Sequence, residues 1–314
     1  MSIYNHIYTF TYDENEMDLC KLESKYIFGE IVKNRLIFSN QKVEPSSSTF
    51  IKSRIDVIAS ANDYEALLAS IKKSDIKLDD FKVEYLVLDG DDTEYQTRLR
   101  KQRDIGVIIK GVAEYYNPST IFALCKYEEI WYFGKLTKND VEWHKHNDKP
   151  HSYSNSISVV IGKSLVNIAA KGDRNKRLLD ACCGVGTIML EACFADYIIE
   201  GCDINWKICR NARENIAHFA YEAKVHCRDI QYLDKKYDAA IVDLPYNLVS
   251  KATESQILNI LASVSKLTDS FVVVSIDDIS QHISDIGFHT VDTCLVRKKG
   301  KRQFARKVWV CEKA

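Results

Sequence analysis

The chain has 314 residues, enough for two or three compact units, and its 46% hydrophobic and 28% charged residues are ordinary for a globular protein. A net charge of −1 excludes attraction of polyanions by the molecule as a whole, and no apolar run reaches the roughly 18 residues a membrane-spanning helix needs. The first twenty residues carry neither a basic segment nor a continuous apolar one, so no secretory signal is expected and the chain reads as cytoplasmic.

In chain order, residues 7–12 (IYTFTY) and 56–59 are strand-like and bracket a helical stretch, 14–28, and a Ser/Pro-rich one, 44–48. Residues 64–72 look helical, 81–88 strand-like, 94–114 mostly helical, and 121–125 and 129–134 strand-like. Residues 138–155 are polar, carry three histidines and read as a linker in which the histidines are solvated. The second half is more regular. Short β-branched runs at 177–182, 197–202, 224–227, 239–242 and 271–275 alternate with helical patterns at 187–195, 206–219 and 253–266. That alternation predicts an α/β fold with a parallel sheet buried on both faces. After a short helical segment, 279–286, two strands at 288–296 and 306–311 form an antiparallel hairpin. Its loop belongs to a stretch, 297–307, with seven cations in eleven residues and no acid, a solvated face or a phosphate contact. Ten cysteines without a C-x-x-C pair read as reduced thiols rather than as a zinc or disulfide framework. No metal is expected.

The chemistry concentrates at the ends of the second-half strands. In LLDACCGVGT (178–187) a strand runs through Asp180, Cys182, Gly184 and Gly186 into a helix that starts at Thr187. Backbone at such a helix start can approach a ligand closely. The dinucleotide fingerprint would need a third glycine where Met189 stands, which disfavours a dehydrogenase. Asp180 suits a cationic ligand better than a pyrophosphate. The next strand ends in Asp203-Ile204, placed to bind ribose hydroxyls, and the third in Asp229-Ile230, placed to meet an adenine amine and ring. Taken singly, each of these acids is more often a helix cap or turn residue. Three at successive strand ends point to a ligand at the sheet's carboxyl edge. The fourth strand stops at Asp243-Leu244-Pro245-Tyr246. A carboxylate and a neighbouring carbonyl can each accept one N–H of an exocyclic amine and aim its lone pair, Pro245 stiffens the turn, and Tyr246 can stack on an extruded base.

The ordered set DACCGVGT, GCDIN, CRDI and DLPYN resembles the S-adenosylmethionine (SAM) dependent amino-methyltransferases with an [ND]-P-P-[YFW] motif. Lys149-Pro150, Ser156 and the segment GKSLVNIA (162–169) resemble the R-P…S…A-R-A-L-V-N-L-A stretch of the THUMP-containing tRNA guanosine N2-methyltransferases that act on position 10. The resemblance implies a Rossmann-like methyltransferase sheet ending in the hairpin, with Pro150 and Ser156 closing over the methionine end of SAM. It implies a domain order of 1–75 ferredoxin-like, 76–137 THUMP-like, 138–156 linker and 157–314 methyltransferase. It further implies that tRNA docks by its acceptor end on the N-terminal half, and that a small activating protein subunit can be required. Arg98, Arg100, Lys101 and Arg103, with Lys298, Lys299, Lys301 and Arg302 of the hairpin loop, are the cations available for RNA. One departure is Leu244, where the family motif has its first proline; the carbonyl survives the change but a looser loop is expected. Two alternatives stand beside N2-methylation of tRNA guanosine: methylation of adenine N6 or of ribosomal RNA guanine, and a SAM- or RNA-binding module without turnover.

Overall fold

The computed structural model describes residues 4–153, 156–245, 253–297 and 305–314, which fall into two compact units. Among them no helix is long and apolar enough to cross a membrane.

The first unit comprises Met1–Thr11, Val32–Ser46 and Phe50–Asp140. Its sheet contains β1 (His6–Phe10), β2 (Leu36–Ser39), β3 (Ile51–Ala61), β4 (Phe81–Tyr85), β5 (Thr120–Tyr127) and β6 (Ile130–Lys138), in the spatial order β2-β1-β3-β6-β5-β4. Strand β3 pairs antiparallel with β6 from Ser53↔Lys138 to Ala61↔Trp131. The sheet therefore runs straight across the expected boundary at residue 75, and the two N-terminal regions share one structure. Helix α1 (Met17–Phe28) lies between β1 and β2 in the chain but belongs to the second unit. The first unit's helices are α2 (Tyr64–Lys73), capped by Asp63, which accepts the Ala66 amide at 2.8 Å, and α3 (Tyr95–Ile108). Leu67 and Ile71 of α2 and Ile105 of α3 pack with Phe81, Phe122 and Phe133 of the sheet.

The second unit comprises Tyr12–Ile31, Ser47–Thr49 and Val141–Ala314. A 3-10 turn at Glu142–Asp148 and helix α4 (Val159–Ala170) lead to β7 (Arg177–Asp180), α5 (Thr187–Phe194), β8 (Ile198–Asp203), α6 (Trp206–His218) and β9 (Lys224–Cys227). A second 3-10 turn, Ile230–Tyr232, precedes β10 (Ala239–Asp243), α7 (Glu254–Leu267), β11 (Ser270–Ser275), α8 (Ser280–Asp285), β12 (Phe288–Arg297) and β13 (Ala305–Lys313). The sheet order is β12-β13-β11-β10-β7-β8-β9. Strands β9 through β11 are parallel, and β13 runs antiparallel to both β11 and β12. The apolar runs of β10 and β11 are buried throughout, as a sheet covered on both faces requires.

Chemistry explains why α1 crosses to the second unit. Leu19, Cys20, Leu22 and Ile27 form its buried face, and Glu23 is buried with them. The Glu23 carboxyl accepts from Asn167 Nδ2 of α4 at 2.6 Å and from Ser48 Oγ at 2.7 Å, while burial pushes its pKa up to about 7. At the sheet edge Lys25 and the Tyr26 hydroxyl both bind Asp292 at 2.7 Å, next to a β-bulge in β12. The helix and the bulge blunt an edge that would otherwise be open to another strand.

The expected linker is not solvent-borne throughout. Trp143, His146 and Lys149 are buried, a spacing of three that matches the 3-10 turn they lie on or adjoin. His146 Nδ1 lies 2.6 Å from Glu191 Oε1 and its Nε2 lies 3.0 Å from the Tyr221 hydroxyl. Of the three histidines His144 is exposed, and its ring stacks on Trp143.

Candidate active site

The chain enters the parallel sheet at β7, builds outward through β8 and β9, then returns to the other side of β7 with β10 and β11. The order reverses between β7 and β10, the position where open α/β sheets bind ligands at their carboxyl edge. Asp180 ends β7 there. It pairs with Ile241 on one side and Gly201 on the other, so Asp243 and Asp203 each stand two residues further along their strands, on the same face. Three carboxylates on three adjacent strands thus converge.

Their environments differ. Asp180 is fully buried and neither carboxylate oxygen makes a hydrogen bond of ordinary geometry. Burial, then the Asp243 and Asp203 charges, hold its pKa well above the usual carboxylate range, with only the Cys182 amide opposing. Asp203 accepts the Gly184 amide at 3.1 Å and the Asn205 amide at 2.8 Å, which partly offset the upward push of burial. A buried carboxylate this poorly supplied with donors, flanked by two more, suits a cation.

The glycine loop is shaped for approach. Gly184 and Gly186 have φ of +52° and +82°, conformations that favour glycine, and Gly186 stands at the start of α5. The Thr187 hydroxyl, in the first turn, is buried without a hydrogen-bond partner. Met189, where a third glycine was sought, is fully buried against β8, and the close approach is provided from the strand side. A Cβ on Gly201 would lie 2.3 Å from Met189 Sδ and 2.9 Å from Cys183 Cβ. Gly201→Ala is therefore expected to destabilise the fold by about 1–3 kcal/mol, read from urea melts.

The other expected residues are placed as follows. Cys182 is half-buried, and burial together with the three carboxylates pushes its thiol up. Asp229 caps the Ile230–Tyr232 turn, accepting the Gln231 amide at 3.0 Å, and Ile230 is buried in the core, while Ile204 is exposed. Pro150 is exposed and Ser156 half-buried. Asp243 is half-buried, Pro245 exposed, and Tyr246 lies outside the described residues.

Leu244 departs from the looser loop expected of it. Its side chain is buried in the core with Val242, Leu261 and Trp309, and its amide donates to the Val274 carbonyl at 3.2 Å. A proline could not make that bond. Leu244→Pro is expected to cost about 1–3 kcal/mol in a denaturation experiment, from the lost hydrogen bond and the lost burial.

Residues 147–265 match the family UPF0020, described as an RMKL-like methyltransferase domain. A curated relative from Methanothermobacter thermautotrophicus, named tRNA (guanine(10)-N2)-dimethyltransferase, is 31% identical over 36% of this chain. That match spans about a third of the relative's own length, 34%. A relative of the same name from Methanocaldococcus jannaschii is 27% identical over 83% of this chain and 78% of its own. Among solved structures, TrmN from Thermus thermophilus superposes with a TM-score of 0.48 at 15% identity, over 98% of this chain and 99% of that one.

Within the second unit, one buried residue ties two segments of the candidate site together. Asn215 of α6 is fully buried. Its Oδ1 accepts the His151 amide at 2.9 Å, and its Nδ2 donates to the carbonyls of His151 and Val185, both at 2.9 Å. One side chain thereby ties the segment after Pro150 to the glycine loop. Nothing but its place on the buried stripe of α6 marks it in the sequence.

The cations proposed for RNA divide. In the first unit, Arg100 and Arg103 are exposed on α3. Lys101 is instead turned onto rings, its Nζ 3.3 Å from the Tyr64 centroid and 4.5 Å from that of Trp131, and burial lowers its pKa. Arg98 lies within 6.0 Å of the Tyr85 and Tyr95 rings, so both serve packing. Lys298, Lys299, Lys301 and Arg302 lie outside the described residues.

Proposed function

We propose that the chain is a SAM-dependent RNA methyltransferase that modifies the exocyclic N2 amine of a guanosine in tRNA. The observation that carries the reading is the fully buried carboxylate of Asp180, with no hydrogen bond of ordinary geometry, between Asp203 and Asp243 at the switch point. These residues fit SAM: Asp180 faces a positive group, Asp203 the ribose hydroxyls, Ile204 and Asp229 the adenine, and Gly184, Gly186 and Thr187 the backbone approach. Bound there, SAM supplies an electrophilic methyl group on a sulfonium centre. Asp243 and the Leu244 carbonyl accept the two N–H groups of the target amine, which localises its lone pair, and the Asp243 carboxylate is placed to take the proton the methylated amine releases. The Leu244–Val274 hydrogen bond anchors the peptide plane that precedes that carbonyl.

The names of the two archaeal relatives support tRNA guanosine N2 as the acceptor and dimethylation as the end point. The first unit, with Arg100 and Arg103 exposed, is the tRNA-docking half in this reading and takes the THUMP-like role. The deciding experiment incubates the protein with unmodified tRNA and isotope-labelled SAM, then analyses nucleosides by mass spectrometry. Label in N2-methylguanosine or its dimethyl form is expected. Label in N6-methyladenosine overturns the acceptor, and SAM binding with no labelled nucleoside overturns turnover by the chain alone.

A further inference from the structure

Trp206 differs from the chain's other tryptophans. Trp131, Trp143 and Trp309 are 8%, 5% and 3% exposed, whereas Trp206 is 61% exposed. Tyr232 is also open, at 67%. Both follow the same pair of strand ends. Asp203 and Cys227 are in register on β8 and β9, and the Arg228 amide donates to the Asp203 carbonyl at 3.1 Å, which keeps the two chains in step one residue further. Trp206 opens α6 three residues beyond Asp203, and Tyr232 closes the 3-10 turn five residues beyond Cys227.

Backbone is fixed at both positions. Asn205 caps α6 by accepting the Lys207 amide at 3.1 Å, and the Tyr232 amide donates to the Asp229 carbonyl at 3.1 Å. Two large rings thus stand in water on rigid supports, at the carboxyl edge that also carries Asp180 and Asp243. Cations alternate with them: Lys207 Nζ lies 5.8 Å from the Trp206 ring, and Arg228 is exposed between Asp203 and Asp229.

We propose that Trp206 and Tyr232 are a stacking platform for unpaired bases of the RNA strand next to the target nucleotide, with Lys207 and Arg228 contacting its phosphates. The inference rests on the RNA-methyltransferase reading above and adds the path of the substrate strand. Rings interleaved with cations are the composition of single-strand binding surfaces, where every base offers a face to stack and the backbone offers charge. A base that leaves its helix to reach Asp243 leaves unpaired neighbours to be held, and rings on a fixed backbone can stack on them.

With the other three tryptophans buried, the emission that acrylamide can quench belongs to Trp206. The full chain is titrated with a short unstructured RNA, and separately with S-adenosylhomocysteine alone. RNA is expected to quench this emission and shield it from acrylamide, while S-adenosylhomocysteine leaves it nearly unchanged. Trp206→Ala is expected to raise the KM for tRNA by roughly 5- to 100-fold, with the KM for SAM within about twofold, and Trp206→Phe to recover most of the loss. RNA binding that leaves the accessible emission untouched overturns the platform. So does equal quenching by S-adenosylhomocysteine, which assigns the ring to the cofactor pocket. A wild-type protein that neither binds nor methylates RNA overturns the functional reading itself, and is told apart by the absence of any labelled nucleoside.

Discussion

Asp243→Ala is expected to slow methyl transfer by about 10²–10³-fold, with the affinity for SAM changed far less. The carboxylate sits at the end of β10, two residues past the position that pairs with Asp180, where it can accept one N–H of the target amine. Alanine removes that acceptor and leaves the amine's lone pair delocalised into the ring. Asparagine, which keeps one carbonyl acceptor but cannot take the released proton, is expected to fall between alanine and wild type. Single-turnover measurements at saturating SAM separate the outcomes. If Asp243→Ala and Asp243→Asn lose activity equally, and lose SAM binding with it, the residue only builds the pocket.

The second large effect concerns Asp180. Its folded-state pKa is held well above that of an unfolded chain, first by burial and then by the Asp243 and Asp203 charges. The folded state therefore binds this proton more tightly than the unfolded state does. Below the ordinary carboxylate value both states are protonated and the group costs nothing. As pH rises past that value, stability falls, and it goes on falling until the raised folded value is passed. Asp180→Asn abolishes the titration. The melting temperature of the variant relative to wild type is thus expected to increase with pH across that window in the absence of SAM. Cofactor binding should move the other way. A cation can pair with Asp180 only once the proton has left, so SAM binds wild type more tightly as pH rises through the same window and releases a proton. The asparagine variant is expected to lose at least about 100-fold in affinity and all of that pH dependence. Calorimetry in two buffers of different ionisation heat counts the proton, and an equal heat in both buffers contradicts the assignment.

Much of the second unit was legible because its strands are buried on both faces and end in short, chemically distinct loops. The runs at 239–242 and 271–275 have nothing to alternate with, so they stand out as parallel strands, and Asp243, which closes the first, marks the carboxyl edge. The first half gave less because its units are not contiguous. The 14–28 stretch reads correctly as a helix, yet its partner is Asn167, more than a hundred residues away, and no local pattern reveals that. The 138–155 stretch misleads by composition. Its polar residues outnumber Trp143, His146 and Lys149, and the three-residue period that buries them is too short-lived to stand out. Met189 raised the right doubt about a dinucleotide site, but the compensating Gly201 lies on another strand and becomes meaningful only once β8 and α5 are packed. Leu244 shows the limit of a motif. The expected weakness at a missing proline is met by an amide hydrogen bond and a buried side chain, neither of which a pattern of letters records.

The threading of α1 sets a clock on the protein's synthesis. The helix emerges early, but α4, which supplies Asn167, and β12, which supplies Asp292, follow some 140 and 260 residues later. At the roughly 5–20 residues per second of translation, the first wait is of the order of ten seconds and the second about twice that. Through that interval Leu19, Leu22 and Ile27 have no native surface to cover them, and the buried Glu23 stays in water as an ordinary carboxylate. A nascent chain in that condition is a natural client for a chaperone, and a ribosome that pauses before residue 170 lengthens the exposure. The second unit cannot be finished by the residues from Val141 onward: a fragment starting there would carry β12 without its covering helix and Asn167 without its acceptor.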